Sequence, residues 1–121
     1  MRILDSNIII YAIQPQFKFL RKMVENSDNY TSIVSKIEVL GFKELTQKDR
    51  FFLESAFNIL NVISLSDEVA QRAVALKQQK KMSLGDSIVA ATALVYDLEL
   101  VTRNFDDFKG VKGLKLFNPF K

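Results

Sequence analysis

The chain has 121 residues, 48% of them hydrophobic and 26% charged, with a net charge of +3 and a pI near 9.2. This length and balance predict one globular domain over residues 1–121, and no window approaches the roughly 20 apolar residues of a membrane span. Cysteine and histidine are both absent, which excludes disulfides, thiol nucleophiles, Cys/His zinc sites and imidazole acid–base chemistry. Catalysis is left to carboxylates, Lys, Arg, Ser, Thr and Tyr. A carboxylate-only site calls for a hard cation such as Mg²⁺ or Mn²⁺. The positive charge suits a polyanionic partner without requiring one. The N-terminal stretch MRILDSNIIIYAI is apolar but broken by Asp5 and Asn7, with no small-residue cleavage site after it. It does not read as a signal peptide, so the cytoplasm is the expected compartment.

Arg2 to Leu4 begins an apolar strand, and DSNIIIYAI follows as a short helix with Asp5 or Ser6 at its start. Gln16 to Glu25 places Phe17, Phe19, Leu20, Met23 and Val24 at helical spacing, with Lys18, Arg21 and Lys22 outward. NYTSIVS reads as a β-branched strand, and Ser35 as the cap of a helix over KIEVLGFKEL. Gln47 to Asn58 is a further amphipathic helix and ILNVISL a strand. Ser66-Asp67-Glu68 forms the acidic first turn of a helix reaching about Lys81. SLGDSIVAATAL opens a helix that is apolar all round. LELVT is a strand, and LKLFNPF an edge strand ended by Pro119. Strands separated by helices predict an α/β fold whose central, mostly parallel sheet is flanked by helices. Ligands in such folds bind beyond the carboxyl ends of the strands, which singles out Asp5 and the stretch from Thr102 to Asp107.

Most of the 14 acids sit in polar company, but Asp5, Glu38 and Asp86 are set among apolar residues. An unpaired buried carboxylate costs several kcal/mol. Each acid has a capping explanation: Asp5 at the head of a helix, Glu38 in an S-x-x-E box with Ser35, and Asp86 in an S-x-x-D pattern with Ser83. All three also fall at helix starts or strand ends, on one side of an α/β sheet. A convergent set of carboxylates repels itself unless a divalent cation compensates. Ala90, Ala91 and Ala93 let the helix behind Asp86 pack closely and hold that acid rigidly.

Four stretches taken together carry a resemblance: ILDSNIIIYA, SKIEVLGF, LGDSIVAATAL and VTRNFDDF, in that order. They resemble the acidic motifs of PIN-domain nucleases, and the short length resembles the VapC-type toxins of toxin–antitoxin pairs. The resemblance runs from Leu4 to Phe120. It implies a PIN fold and a Mg²⁺- or Mn²⁺-dependent endoribonuclease, with Asp5, Glu38 and Asp86 at the first three acidic positions. In the fourth motif it implies Asp107, with Asn104 at a place where the family carries Asp or Asn, and Asp106 adjacent. Asn7 and Thr102 are implied as hydrogen-bonding supports, with loop capping as the other reading of each.

The family further implies a homodimer, an RNA substrate and inhibition by a cognate VapB-like antitoxin lying over the active site. An acidic pocket that admits RNA needs basic neighbours. The candidates are Lys80, Lys81 and Arg103, then Lys109, Lys112 and Lys115, all of which also serve as ordinary solvated charge. A catalytically inactive PIN-like domain that binds RNA or protein is the main alternative. An Asp-nucleophile phosphatase would show D-x-D after the first strand, where this chain has Asn7. A purely structural α/β domain with well-capped helices is the remaining reading.

Overall fold

The computed structural model describes residues 1–120, so the last residue of the expected 1–121 domain, Lys121, lies outside the described residues. The strands are β1 (Arg2–Leu4), β2 (Tyr30–Ser32), β3 (Asn61–Ile63), β4 (Glu99–Val101) and β5 (Leu116–Phe117). The helices are α1 (Ser6–Tyr11), α2 (Arg21–Val24), α3 (Ile33–Leu40), α4 (Gln47–Ile59), α5 (Asp67–Gln79), α6 (Leu84–Val95) and α7 (Phe105–Phe108). A 3₁₀ helix, Pro15–Leu20, links α1 to α2. The sheet runs in the order β3-β2-β1-β4-β5, and every pairing is parallel. The expected α/β architecture is therefore the one observed.

Parallel strands must be covered on both faces, and side chains that alternate along each strand divide the core in two. Ile3 and Leu100 face one cluster with Val69, Ala73, Ile88, Val89 and Ala90 of α5 and α6. Leu4 and Val101 face the other, with Ile8 and Ile9 of α1, Val39 of α3 and Leu53 and Phe57 of α4. The small residues of α6 serve as expected: Ser87 to Ala93 are all buried, and the helix packs closely against α5.

Two local expectations change, besides α3 ending at Leu40 rather than reaching Leu45. The single helix over Gln16 to Glu25 is instead the 3₁₀ helix followed by one turn of α2, with Phe17 off helical geometry at φ −115°, ψ 29°. Pro15 starts the 3₁₀ segment, since it lacks an N–H and its φ is preset. Phe17 turns out to meet Tyr11 edge-on, with ring centroids 5.3 Å apart. The second change is at β2, which ends at Ser32 rather than Ser35. Ser32 Oγ accepts a hydrogen bond from the Val34 N–H at 3.1 Å and caps α3. Ile33 and Val34 are β-branched and suggest strand, but packing of α3 on the sheet overrides that weak preference. Ser35 thus lies inside α3, fully buried, and its Oγ has no hydrogen-bond partner. The capping box with Glu38 does not form, because Glu38 is in the second turn.

This displacement gives opposite expectations for two neighbouring serines. Ser32→Ala removes a cap and is expected to cost about 1 kcal/mol. Ser35→Ala removes an unpaired buried hydroxyl and is expected to be neutral or stabilising. Urea unfolding of both variants measures this, and a larger loss for Ser35→Ala would return the cap to Ser35.

Candidate functional site

The order of the strands creates the site. β1 lies between β2 and β4, so the chain leaves the sheet in opposite directions on its two sides at the carboxyl end of β1. Register pairs Leu4 with Val101, which puts the next residues, Asp5 and Thr102, side by side. The Thr102 hydroxyl donates to Asp5 Oδ2 at 2.8 Å, and the Ser6 N–H donates to Asp5 Oδ1 at 2.9 Å. Asp5 is the N-cap of α1 and is itself buried. Thr102 Oγ1 in turn accepts the Asn104 N–H at 3.0 Å and, at 3.4 Å, the Asn7 side-chain amide. Asn7 Oδ1 is buried and unpaired.

The other acids come from three more helices. Ser83 caps α6, its hydroxyl accepting the Asp86 N–H at 3.1 Å, so the cap depends on the backbone of Asp86 and not on its carboxylate. The half-buried Asp86 carboxylate also has the Ser83 side chain as a hydrogen-bond partner. Glu38 on α3 is solvent-exposed but lies directly over Gly85 of α6. A Cβ at Gly85 would stand 3.0 Å from Glu38 Oε2. Asp107 is on α7, which is anchored by the buried ring of Phe108.

These carboxylates feel one another. Burial pushes the Asp5 carboxyl from 3.8 up to about 6; hydrogen bonds from Thr102 and Ser6 oppose the shift, and the charges of Asp86 and Glu38 add to it. Asp86 is also raised, first by burial and then by the charge of Asp107, with Ser83 opposing and Glu38 adding. The four acids therefore share one electrostatic neighbourhood. They do not close into a cage: among the described residues no group of three acids is spaced to hold a single ion. The donor set, all oxygen with one buried unpaired amide oxygen, fits a hard cation that keeps much of its water and takes one or two carboxylates directly. It does not fit a closed protein-only metal site. A cavity of about 560 Å³ lined by Ile13, Pro15, Lys18, Arg21, Lys48, Asp49 and Phe52 includes none of these acids.

The basic residues divide. Lys80 and Lys81 precede the Ser83 cap on the acidic side and pair with no acid among the described residues. Arg103 follows Thr102 directly. Lys109 is engaged with Asp106 at 3.0 Å, an exposed pair one turn apart. Lys115 pairs with Asp97 at 3.3 Å; both stand where strands enter the sheet, at the end opposite Asp5. Lys112 lines a cavity with Leu76, Gln79 and Leu94, at the far end of α6. These last two are thus removed from the acids, contrary to expectation. Asn104 contributes its backbone amide, and its side chain makes no cap bond. Gly85 was not visible as a site position, since nothing local to LGDS shows that a carboxylate from α3 crosses it.

The PIN domain family model matches residues 2–114. A chain of a toxin–antitoxin complex from Klebsiella pneumoniae is 32% identical, with 94% of this chain and 95% of that one covered and a TM-score of 0.78. FitAcB from Neisseria gonorrhoeae matches at 24% identity, 99% of both chains and a TM-score of 0.78. DNA-bound VapBC from Salmonella typhimurium matches at 18% identity, 98% of both chains and a TM-score of 0.81. No curated protein sequence matches the chain.

The raised pKa of Asp5 fixes a sign for stability against pH. Its proton is held more tightly in the folded chain than in the unfolded one, at about 6 against 3.8. Stability from this group is therefore complete below about pH 4 and lost as pH rises through about 6, a change of about 3 kcal/mol. In chelator, wild type is expected to lose that much more than Asp5→Asn between about pH 4 and pH 7. Parallel urea-unfolding curves for the two proteins would contradict the shift.

Proposed function

The chain belongs to the PIN domain family, and from that membership and its four-acid face we propose that it is a metal-dependent endoribonuclease, the VapC-type toxin of a toxin–antitoxin pair. The observation that carries this reading is the pair Asp5 and Asp86, both raised first by burial and then by the charges of neighbouring carboxylates. Such a set opposes folding and favours cation binding. Mg²⁺ or Mn²⁺ at this place supplies acidification of water and neutralisation of phosphate charge.

The chain's own residues do the placing. Asp5, Asp86, Glu38 and Asp107 would hold the cation, one or two of them directly and the others through its bound water. Thr102 and the Ser6 amide orient the Asp5 carboxylate, and the stiff, buried α6 orients that of Asp86. Asn7 and the Asn104 amide fix Thr102. Lys80, Lys81 and Arg103 draw the RNA backbone toward a face that would otherwise repel it. No imidazole is required, consistent with a chain that has none. RNA in the cytoplasm is the substrate, and a VapB-like antitoxin the protein partner. The matches to a toxin–antitoxin complex and to VapBC support that partner. A catalytically inactive, RNA- or protein-binding PIN domain is the second reading, favoured by the absence of a closed three-acid cage among the described residues.

Cleavage of RNA in Mn²⁺ and in chelator separates the two. Asp86→Asn is expected to reduce cleavage at least about a hundredfold. Its metal-free form should be at least as stable as wild type, because the Ser83 cap remains and one repelling charge is gone. Gly85→Ala displaces the Glu38 carboxylate and is expected to lower activity about tenfold, while helix propensity holds or raises stability by up to about 1 kcal/mol. Cleavage by Asp86→Asn equal to wild type would remove the catalytic reading.

A homodimer completes the proposal. Ile37 on α3, Leu65 in the loop before α5, Val74 on α5 and Leu84 on α6 are 66%, 46%, 57% and 66% exposed. Leu65, Val74 and Leu84 line one apolar hollow of about 190 Å³. A second copy meeting this face would cover it about a two-fold axis. Sedimentation velocity is expected to give a dimer for wild type and a monomer for Val74→Glu with Leu84→Glu. A monomeric wild type at high concentration would exclude the dimer.

A further inference from the structure

The geometry points to Phe120 as a positioning residue that holds Arg103 ready for an RNA phosphate, in a cage completed by Tyr11 and Phe17. The inference rests on the ribonuclease reading above and extends it to a part of the chain that no acidic motif includes.

Arg103 stands one residue beyond Thr102 and therefore beside the acids. Its guanidinium carbon lies 4.4 Å from the Phe120 ring centroid, 5.1 Å from Tyr11 and 5.8 Å from Phe17. Phe120 is the hub of this cluster, edge-on to Tyr11 at 5.3 Å, to Phe17 at 5.1 Å and to Phe19 at 5.6 Å. The C-terminal turn aims it there. Thr102 N–H bonds Phe117 O at 3.0 Å, Pro119 restricts the next step, and Asn118 Oδ1 accepts the Phe120 N–H at 2.9 Å.

The guanidinium makes no hydrogen bond or ion pair among the described residues, whose ion pairs are Arg2–Glu99, Lys109–Asp106 and Lys115–Asp97. An unrestrained arginine so close to several carboxylates would pair with them and occupy the place of the cation. The rings instead take the faces of the guanidinium by cation–π attraction. Its N–H edge stays open, in the geometry that binds a phosphate with two parallel hydrogen bonds. Tyr11 lies at the other end of α1 from Asp5, about 9 Å along the helix axis. The rings therefore hold the guanidinium toward the far end of α1, with Asp5 at the near end.

The test is steady-state cleavage of a labelled single-stranded oligoribonucleotide of mixed sequence in Mn²⁺, with binding of the same probe measured on Asp86→Asn protein. Arg103→Ala is expected to raise KM at least about tenfold and to lower the slope of log KM against log salt by about 0.7, one phosphate contact. Phe120→Leu keeps apolar bulk but loses the aromatic face. It is expected to raise KM about fivefold, with kcat reduced less than threefold, and Phe120→Trp is expected to restore KM. In the Arg103→Ala background, Phe120→Leu should add nothing further. Additive effects, or a wild-type KM for Phe120→Leu in protein that cleaves RNA, would overturn the inference while leaving the ribonuclease reading in place. Wild-type protein that neither cleaves nor binds the probe would overturn both.

Discussion

The hydrogen bond from Thr102 to Asp5 joins the two central strands at the point where the site begins. It exists because β1 and β4 pair in register, and it holds a carboxylate that burial alone would leave protonated well above its ordinary range. With the Ser6 amide on its other oxygen, Asp5 has both oxygens engaged by donors yet is still raised to about 6. The remaining imbalance is the cost of burying a carboxylate beside the charges of Asp86 and Glu38.

Packing and charge are handled by different elements. Two apolar layers on the faces of the sheet supply cohesion, and the acids collect at its carboxyl edge, where helix N-termini favour negative charge. Asp5 and Asp86 meet that edge at the first turn of α1 and α6, where Asp5 and Ser83 are the caps. Glu38 is held differently. It reaches across from the second turn of α3 and settles over Gly85, where the missing side chain gives it room. The mutual repulsion of these groups is carried by a framework whose stability comes from elsewhere.

The cationic side of the face follows the same economy. Lys109 and Lys115 are tied to acids outside the cluster, and Arg103 is held by rings rather than by carboxylates. A guanidinium that paired with Asp5 or Asp86 would cancel their charge. An aromatic cage avoids this, since it attracts the cation without offering a competing anion.

The sequence by itself determined the kinds of element and the sidedness of the acids. Alternation and helical spacing are local, and so is the chemistry that starts a helix; DSNIII after a strand and SLGD before an apolar run place both aspartates without reference to the rest of the chain. The tertiary structure decided what depends on distant residues meeting. It placed β1 between β2 and β4, moved the α3 cap from Ser35 to Ser32 by packing two β-branched residues into a helix, and sent Lys112 and Lys115 to the far side of the sheet. It also brought Glu38 over Gly85 and Phe120 over Arg103. These contacts join residues far apart in the chain, and local propensity contains no term for which side chain from another element will fill a given space.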